Sequence, residues 1–177
     1  MTDKNKADYK IRGIIPKDNF RLANIIRNNL KNHNLDISGT VYFDEALDKL
    51  SELYMDNQDS GYYVLVDETD SVLGGIGYAK FSPIKDCAEL QKLYLSDEVK
   101  GNNLGYKLID YIEKKMIEKG FKLSYLETHE NLKVAIHIYE KVGYKKIERP
   151  KEVMHGAMTH FYLKELWFKE VLKWMVV

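Results

Sequence analysis

The residues with the most chemical potential form one short run, Lys100-Gly101-Asn102-Asn103-Leu104-Gly105-Tyr106. It follows an apolar triplet, Leu93-Tyr94-Leu95, and opens an amphipathic stretch. A small-residue turn between a strand and a helix start leaves main-chain N–H groups unpaired at the positive end of the helix dipole. Such a place binds phosphate. The competing reading is an ordinary capped helix start. Further candidates are two carboxylates, Glu89 and Glu127, expected on neighbouring strands, and a phenol, Tyr139, expected on a helix face shared with Ala135. The bland readings are a strand-end ion pair for Glu89 and a core aromatic for Tyr139, since the chain holds 13 tyrosines.

Other chemistries lack their residues. Gly74-Gly75-Ile76-Gly77 offers two glycines of a dinucleotide loop without the third, and it falls inside a strand pair. It reads as close backbone packing or a bulge. No phosphate loop ending in Gly-Lys-Ser or Gly-Lys-Thr is present, which disfavours nucleoside triphosphate hydrolysis. The single cysteine, Cys87, excludes an internal disulfide and a thiol cluster for zinc; it reads as a small buried apolar residue. The five histidines are dispersed. His155 and His160 lack a third ligand, so no metal site is expected. His129 reads as a surface-loop residue, with substrate contact as its sharper alternative.

Composition narrows the class further. The 177 residues favour one domain, and 45% hydrophobic residues suffice for a real core. Lys plus Arg and Asp plus Glu both number 27, so the net charge is zero. That argues against nucleic acid as the main partner. No long uncharged apolar stretch spans a membrane. The polar start Met1-Thr2-Asp3-Lys4-Asn5-Lys6 lacks the apolar centre of a signal peptide, so the expected location is the cytoplasm.

The elements that must position these residues follow from periodicity. Ile11 to Ile15 reads as a strand stopped by Pro16. Asp18 or Asn19 caps a helix bearing Phe20, Leu22, Ala23, Ile25, Ile26 and Leu30. Asp44 caps a second helix bearing Ala46, Leu47, Leu50, Leu53 and Tyr54. Strands are expected over Tyr62 to Val66, Val72 to Phe81 and Ala88 to Leu95. Leu104 to Lys119 is the clearest helix, with Leu104, Leu108, Ile112 and Met116 recurring every four residues and Gly120 closing it. A strand over Phe121 to Glu127, a helix over Leu132 to Lys141 closed by Gly143, and strands over Tyr144 to Ile147 and Met158 to Leu166 complete the order β-α-α-β-β-β-α-β-α-β-β. That is a mixed α/β layer fold with a β-α-β crossover at its centre. We expect one domain over residues 1–166 and an amphipathic tail over 167–177 with helical spacing. The tail packs on the domain, forms a homodimer contact, or, third, attaches to a membrane surface.

Two separated motifs carry a family resemblance. One is the strand Glu89 to Leu95 followed by Lys100-Gly101-Asn102-Asn103-Leu104-Gly105 and a helix. The other is a strand ending Leu126-Glu127-Thr128 with the run Ala135-Ile136-His137-Ile138-Tyr139-Glu140-Lys141-Val142-Gly143-Tyr144. Over roughly residues 72–147 the chain resembles the GNAT superfamily of acyl-CoA-dependent N-acetyltransferases. The resemblance implies a mostly antiparallel sheet of about six or seven strands with a splayed central parallel pair, flanked by about four helices. The family pattern at the turn is Arg or Gln, two residues, Gly, one residue, then Gly or Ala. Lys100 stands in the first place and still offers a cation, without the guanidinium fork. Asn103 stands where the first glycine is usual, and Gly105 matches the last. Asn tolerates left-handed backbone angles, but a capping Asn103 side chain would compete with the phosphate for an N–H.

By the same resemblance the protein is an N-acetyltransferase that uses acetyl-CoA as cosubstrate, with no metal and no covalent acyl-enzyme. Its pyrophosphate sits on Lys100, Gly101, Asn102, Asn103, Leu104, Gly105 and Tyr106. Its pantetheine arm runs along the main chain of Leu93, Tyr94 and Leu95, where one N–H polarises the thioester carbonyl. Tyr139 protonates the departing thiolate, a task for which a phenol with a pKa near ten is suited. Glu89 is the base that deprotonates the amine, and Glu127 is its rival. Family members often carry an Asn where Leu132 stands; Asn131, one residue earlier, is left to make that coenzyme contact or to cap the helix. The acceptor is expected to be a small-molecule primary amine. Its cleft residues, among Phe43, Tyr54, Tyr78, Phe81, His160 and Tyr162, show no decisive pattern. The alternatives are a non-catalytic acyl-CoA-binding or sensing module and some other phosphate-binding α/β protein.

Overall fold

The computed structural model describes residues 8–153 and 156–167. His155 and the tail beyond Trp167 lie outside them. The strands are β1 (Lys10–Gly13), β2 (Ser60–Val66), β3 (Val72–Lys80), β4 (Cys87–Leu95), β5 (Leu123–Thr128), β6 (Lys145–Ile147) and β7 (His160–Glu165). Among the described residues they form one sheet in the order β1-β2-β3-β4-β5-β7-β6. The helices are α1 (Asn19–Asn32), α2 (Leu50–Met55), α3 (Leu104–Glu118) and α4 (Lys133–Lys141). The mixed, mostly antiparallel architecture expected from the sequence is the one found.

β4 and β5 form the parallel pair, because α3 carries the chain from the end of one to the start of the other. Their ladder holds only Cys87↔Leu123, Ala88↔Ser124 and Glu89↔Tyr125. Beyond Glu89 the strands part, and β5 continues as a partner of β7 up to Thr128↔His160. A bulge drives the separation. Gly75 pairs with Tyr94 and Gly77 with Gln91, so Lys92 and Leu93 together oppose Ile76. Lys92 adopts a left-handed φ of 49° there, and such a bulge bends its strand. The Tyr62 hydroxyl donates to the Lys92 carbonyl at 2.8 Å, and the Asn29 amide of α1 donates to the Leu95 carbonyl at 2.9 Å.

The glycine run of β3 makes room for this prop. A Cβ on Gly75 would lie 2.6 Å from Tyr62 Cε1, and one on Gly77 would lie 2.5 Å from Tyr62 Cδ2. One on Gly74 would collide with the Tyr94 carbonyl. Close backbone packing, rather than a dinucleotide loop, is therefore what these glycines do.

Apolar cores lie on both faces of the sheet. α3 buries Leu104, Leu108, Ile109, Ile112 and Met116 with Leu90, Leu126 and Tyr139 on one face. Full burial of one such aliphatic side chain is worth about 1.5–3 kcal/mol. α1 and α2 cover the other face with Leu22, Ile26, Leu30, Leu50 and Tyr54 over Tyr62 and Val64. Phe20 and Leu53 depart from the expected stripes, at 77% and 47% exposed. At 3.6 residues per turn each falls off the side its neighbours bury. Two caps differ as well. Asp18 makes no side-chain cap to α1; its carboxylate instead accepts from Arg12 and from the Ile15 N–H. Asp44 caps a short 3-10 turn, Glu45–Lys49, which precedes α2.

Candidate active site

The gap between β4 and β5 opens into a cleft of about 560 Å³, within the usual range for small-molecule sites. Its walls are Leu90 and Lys92 to Leu95 of β4, Glu127 and Thr128 of β5, the start of α3, and one side of α4. Asn29 and Leu30 of α1, with His33 and Leu35 just beyond it, close the wall next to β4. The lining is mainly apolar, with polar groups at its two ends.

One end is the turn before α3. Lys100, Gly101, Asn103, Leu104, Gly105 and Tyr106 all line the cleft. Gly101 has a φ of +84°, and nothing lies within 4 Å of where its Cβ would be. Asn103, at the N-cap, has a φ of 58° and makes no side-chain cap bond. Its carboxamide therefore does not consume an N–H at the helix start. Those donors, together with the helix dipole, suit a phosphate. Lys100 Nζ is held 2.5 Å from Asp97 Oδ1. Asn102 does not line the cleft; its amide donates to the Val99 carbonyl at 3.3 Å. Asn131 also stands outside, donating to the His33 carbonyl at 2.8 Å. It does not cap α4 either, since the N-cap there is Leu132 without a side-chain bond.

The middle is the free edge of β4. Leu93 and Leu95 pack towards α3, and Tyr94 packs towards α1. With no β5 partner past Glu89, the main chain of these residues meets the cleft.

At the far end stands Tyr139, 6% exposed and lining the cleft. Burial, with Tyr94 nearby, pushes its phenol above the usual range. Its ring meets that of Tyr144 edge-on at 5.9 Å, and the Tyr144 hydroxyl shares a 2.7 Å hydrogen bond with Ser124 Oγ. On the opposite face of the sheet, Glu89 and Glu127 point the same way. Glu127 lines the cleft and accepts from the Tyr125 hydroxyl at 3.1 Å. Glu89 does not line the cleft; it sits deeper, where burial raises its carboxyl above the ordinary carboxylate value. Gln91 Nε2 donates to Glu89 Oε2 at 2.7 Å, and Tyr54 donates to Gln91 Oε1 at 2.7 Å.

Several groups here had weak signals in the sequence. Asn29 is a lone polar residue in the apolar stripe of α1, which is a readable anomaly. Lys92, His33 and His137 line the cleft without any spacing that marks them. Of the proposed acceptor residues, Tyr54 joins the polar group at Glu89. Tyr78 is buried on the α3 face, Phe81 stacks on Tyr125 at 4.1 Å, and Tyr162 donates to Glu140. His129 accepts from the Asn131 N–H and does not line the cleft. Cys87 is buried, and burial pushes its thiol up to about 12, which keeps it protonated at neutral pH. Among the described residues no cluster of His, Cys, Asp and Glu could hold a metal, and no helix is long and apolar enough to cross a membrane.

A seven-stranded mixed sheet split at its parallel pair, with a helix start at one end of the split, defines an acyltransferase architecture. The chain belongs to the Acetyltransferase (GNAT) family, whose sequence profile matches residues 28–144. It is 34% identical over 140 residues to the uncharacterized N-acetyltransferase YjgM of Escherichia coli (strain K12), covering 78% of this chain and 83% of that protein. Among solved structures it is similar to a GNAT-family acetyltransferase of Staphylococcus aureus Mu50, with a TM-score of 0.79 at 18% identity, covering 90% of this chain and 100% of that one. It is also similar to the PaiA N-acetyltransferase of Thermoplasma acidophilum in complex with coenzyme A, with a TM-score of 0.69 at 22% identity, covering 89% and 99%.

Proposed function

We propose that this acyltransferase moves an acetyl group from acetyl-CoA to a small-molecule primary amine by direct attack in a ternary complex. One observation carries the reading. A single cleft joins main-chain donors at the start of α3 to a buried phenol and the Glu127 carboxylate, along an unpaired strand edge, and Glu89 lies beside it on the same face of the sheet as Glu127. The N–H groups of Leu104, Gly105 and Tyr106 hold the diphosphate. Lys100 adds charge from the rim. The free edge of β4 pairs with the amides of the pantetheine arm, and one of its N–H groups polarises the thioester carbonyl.

Glu89 takes the proton that the ammonium must lose before it attacks, and Glu127 borders the same acceptor space. The new bond is C–N and the broken bond is C–S. Tyr139 gives its proton to the departing sulfur, and the second proton on nitrogen leaves the tetrahedral adduct through water, from which Tyr139 regains its own. A phenol raised by burial keeps that proton at neutral pH. Holding amine and thioester together supplies much of the acceleration.

The test is coenzyme A release, read with a thiol reagent, over a panel of primary amines. Tyr139→Phe should lower kcat by about 10²-fold or more while the acetyl-CoA Kd stays within about twofold. Acetyl-CoA binding without transfer to any amine favours the non-catalytic reading. A parental rate for Tyr139→Phe removes that residue from the mechanism.

A further inference from the structure

We infer that Tyr54, Gln91 and Lys92 are positioning residues for Glu89: a one-way hydrogen-bond chain from the Lys92 ammonium that fixes the Glu89 carboxylate through one oxygen and leaves the other to take the amine proton, directly or through water. The inference rests on the assignment of Glu89 as base under the proposed function.

The chain has three links. Lys92 Nζ donates to Tyr54 Oη at 3.4 Å and lies 5.8 Å from the centre of that ring. Tyr54 donates to Gln91 Oε1 at 2.7 Å, and Gln91 Nε2 donates to Glu89 Oε2 at 2.7 Å. The two ends set the direction. An ammonium only donates, and an ionised carboxylate only accepts. Tyr54 therefore receives from Lys92 and spends its single proton on Gln91. That contact orients the Gln91 amide, because the flipped amide would set its oxygen against the carboxylate. Only Glu89 Oε2 is engaged; Oε1 has no side-chain donor among the described residues.

The backbone builds the chain at the bulge. Alternation along β4 puts Cys87, Glu89 and Gln91 on the α2 face and would send residue 92 into the apolar core under α3. The left-handed φ at Lys92 turns two consecutive side chains to the same face, as bulges do beside functional sites. The distortion that parts β4 from β5 thus also delivers the ammonium to the chain.

The groups facing Glu89 explain why the chain matters. From β5 come Glu127 and Tyr125; from α2 comes Tyr54; from its own strand come Cys87, Gln91 and Lys92. Arg149 bears on Tyr125, and Asp44 bears on Lys92. Burial and Glu127 raise the Glu89 carboxyl, while the Gln91 donor and the Lys92 charge hold it down. Losing either restraint leaves Glu89 protonated to higher pH.

The experiment is the pH dependence of kcat/KM for one amine at saturating acetyl-CoA, in the parent, Tyr54→Phe, Gln91→Leu, Lys92→Met, Lys92→Arg and Glu89→Gln. With the amine held constant, a shift of the acid limb belongs to the enzyme. The acid limb should move up by about one pH unit in Tyr54→Phe, Gln91→Leu and Lys92→Met. Below the limb that is about a tenfold loss, and above it the parental rate returns. Lys92→Arg, which keeps the charge, should restore the parental limb. A limb unmoved in the first three variants, while Glu89→Gln is inactive, overturns the chain and leaves the base in place. A parental rate in Glu89→Gln overturns the base assignment and the chain with it. If Tyr54→Phe fails to fold by thermal melting, the Lys92→Met and Lys92→Arg pair decides the matter.

Discussion

Two parts of the site, the cleft end at the start of α3 and the polar group beside the cleft at β4 and α2, are built by different means. At α3 the useful groups are main-chain donors, set by the geometry of the turn. At β4 and α2 the useful groups are side chains held by one another, and each has a specific partner. A site made of backbone depends on turn geometry alone. It accepts Lys100 and Asn103 where the family pattern has other residues, since Asn103 reaches the left-handed angle and leaves the donors free. A site made of side chains depends on which elements happen to meet, so it can diverge while the fold stays fixed. Under the proposed function, the α3 end holds the coenzyme and the β4–α2 group serves the acceptor.

Four substitutions break or sharpen that contrast, taken from the largest expected effect down. Glu89→Gln, at the side-chain end, should lower kcat by about 10²–10⁴-fold. Calorimetry should find acetyl-CoA affinity unchanged. A matching loss of affinity would mean that the two ends are not separable. Gly75→Ala attacks the bulge that both ends share. Its Cβ would sit 2.6 Å from Tyr62 Cε1 and 2.8 Å from the Tyr63 carbonyl. Overpacking of this kind costs about 1–3 kcal/mol, to be read from urea denaturation. Because Tyr62 props the Lys92 carbonyl, acetyl-CoA binding and turnover should both weaken.

Lys100→Ala, at the main-chain end, should weaken acetyl-CoA binding by less than about fivefold, since its ammonium is exposed and already paired with Asp97. A loss of a hundredfold would show that the cation, rather than the backbone, grips the diphosphate. The smallest effect belongs to a surface cluster remote from either end. Hydrogen bonds from Arg12 and Lys17 hold Asp70 down from its ordinary 3.8 to about 2. A depressed carboxyl stabilises the fold above its unfolded pKa and loses that contribution as pH falls through its folded pKa. Asp70→Asn should therefore flatten the fall in stability between about pH 4 and 2, followed by thermal melting, with transfer activity at neutral pH unchanged.

The contrast also explains what could be read in the sequence. The four-residue recurrence of Leu104, Leu108, Ile112 and Met116 and the small-residue turn before it are local patterns, so α3 and its donors were legible. Gly74, Gly75 and Gly77 declared close packing without naming Tyr62 as the ring they admit. The chain from Lys92 to Glu89 was not legible, because it joins α2 to β4 across 38 residues and turns on one left-handed residue. Tyr54 stood among six candidates with nothing to separate it from Tyr78, which faces the opposite core. The place of Asn131 outside the cleft is illegible for a similar reason. Its neighbour across the loop is the His33 carbonyl at the end of α1, a tertiary contact with no local signature.

The most direct measurement is a crystal structure of the protein with acetyl-CoA bound. Diphosphate oxygens are expected within about 3 Å of the N–H groups of Leu104, Gly105 or Tyr106, with the acyl sulfur between β4 and β5 beside the Tyr139 hydroxyl. A coenzyme ordered elsewhere, or a cleft left empty at saturating acetyl-CoA, would contradict this placement.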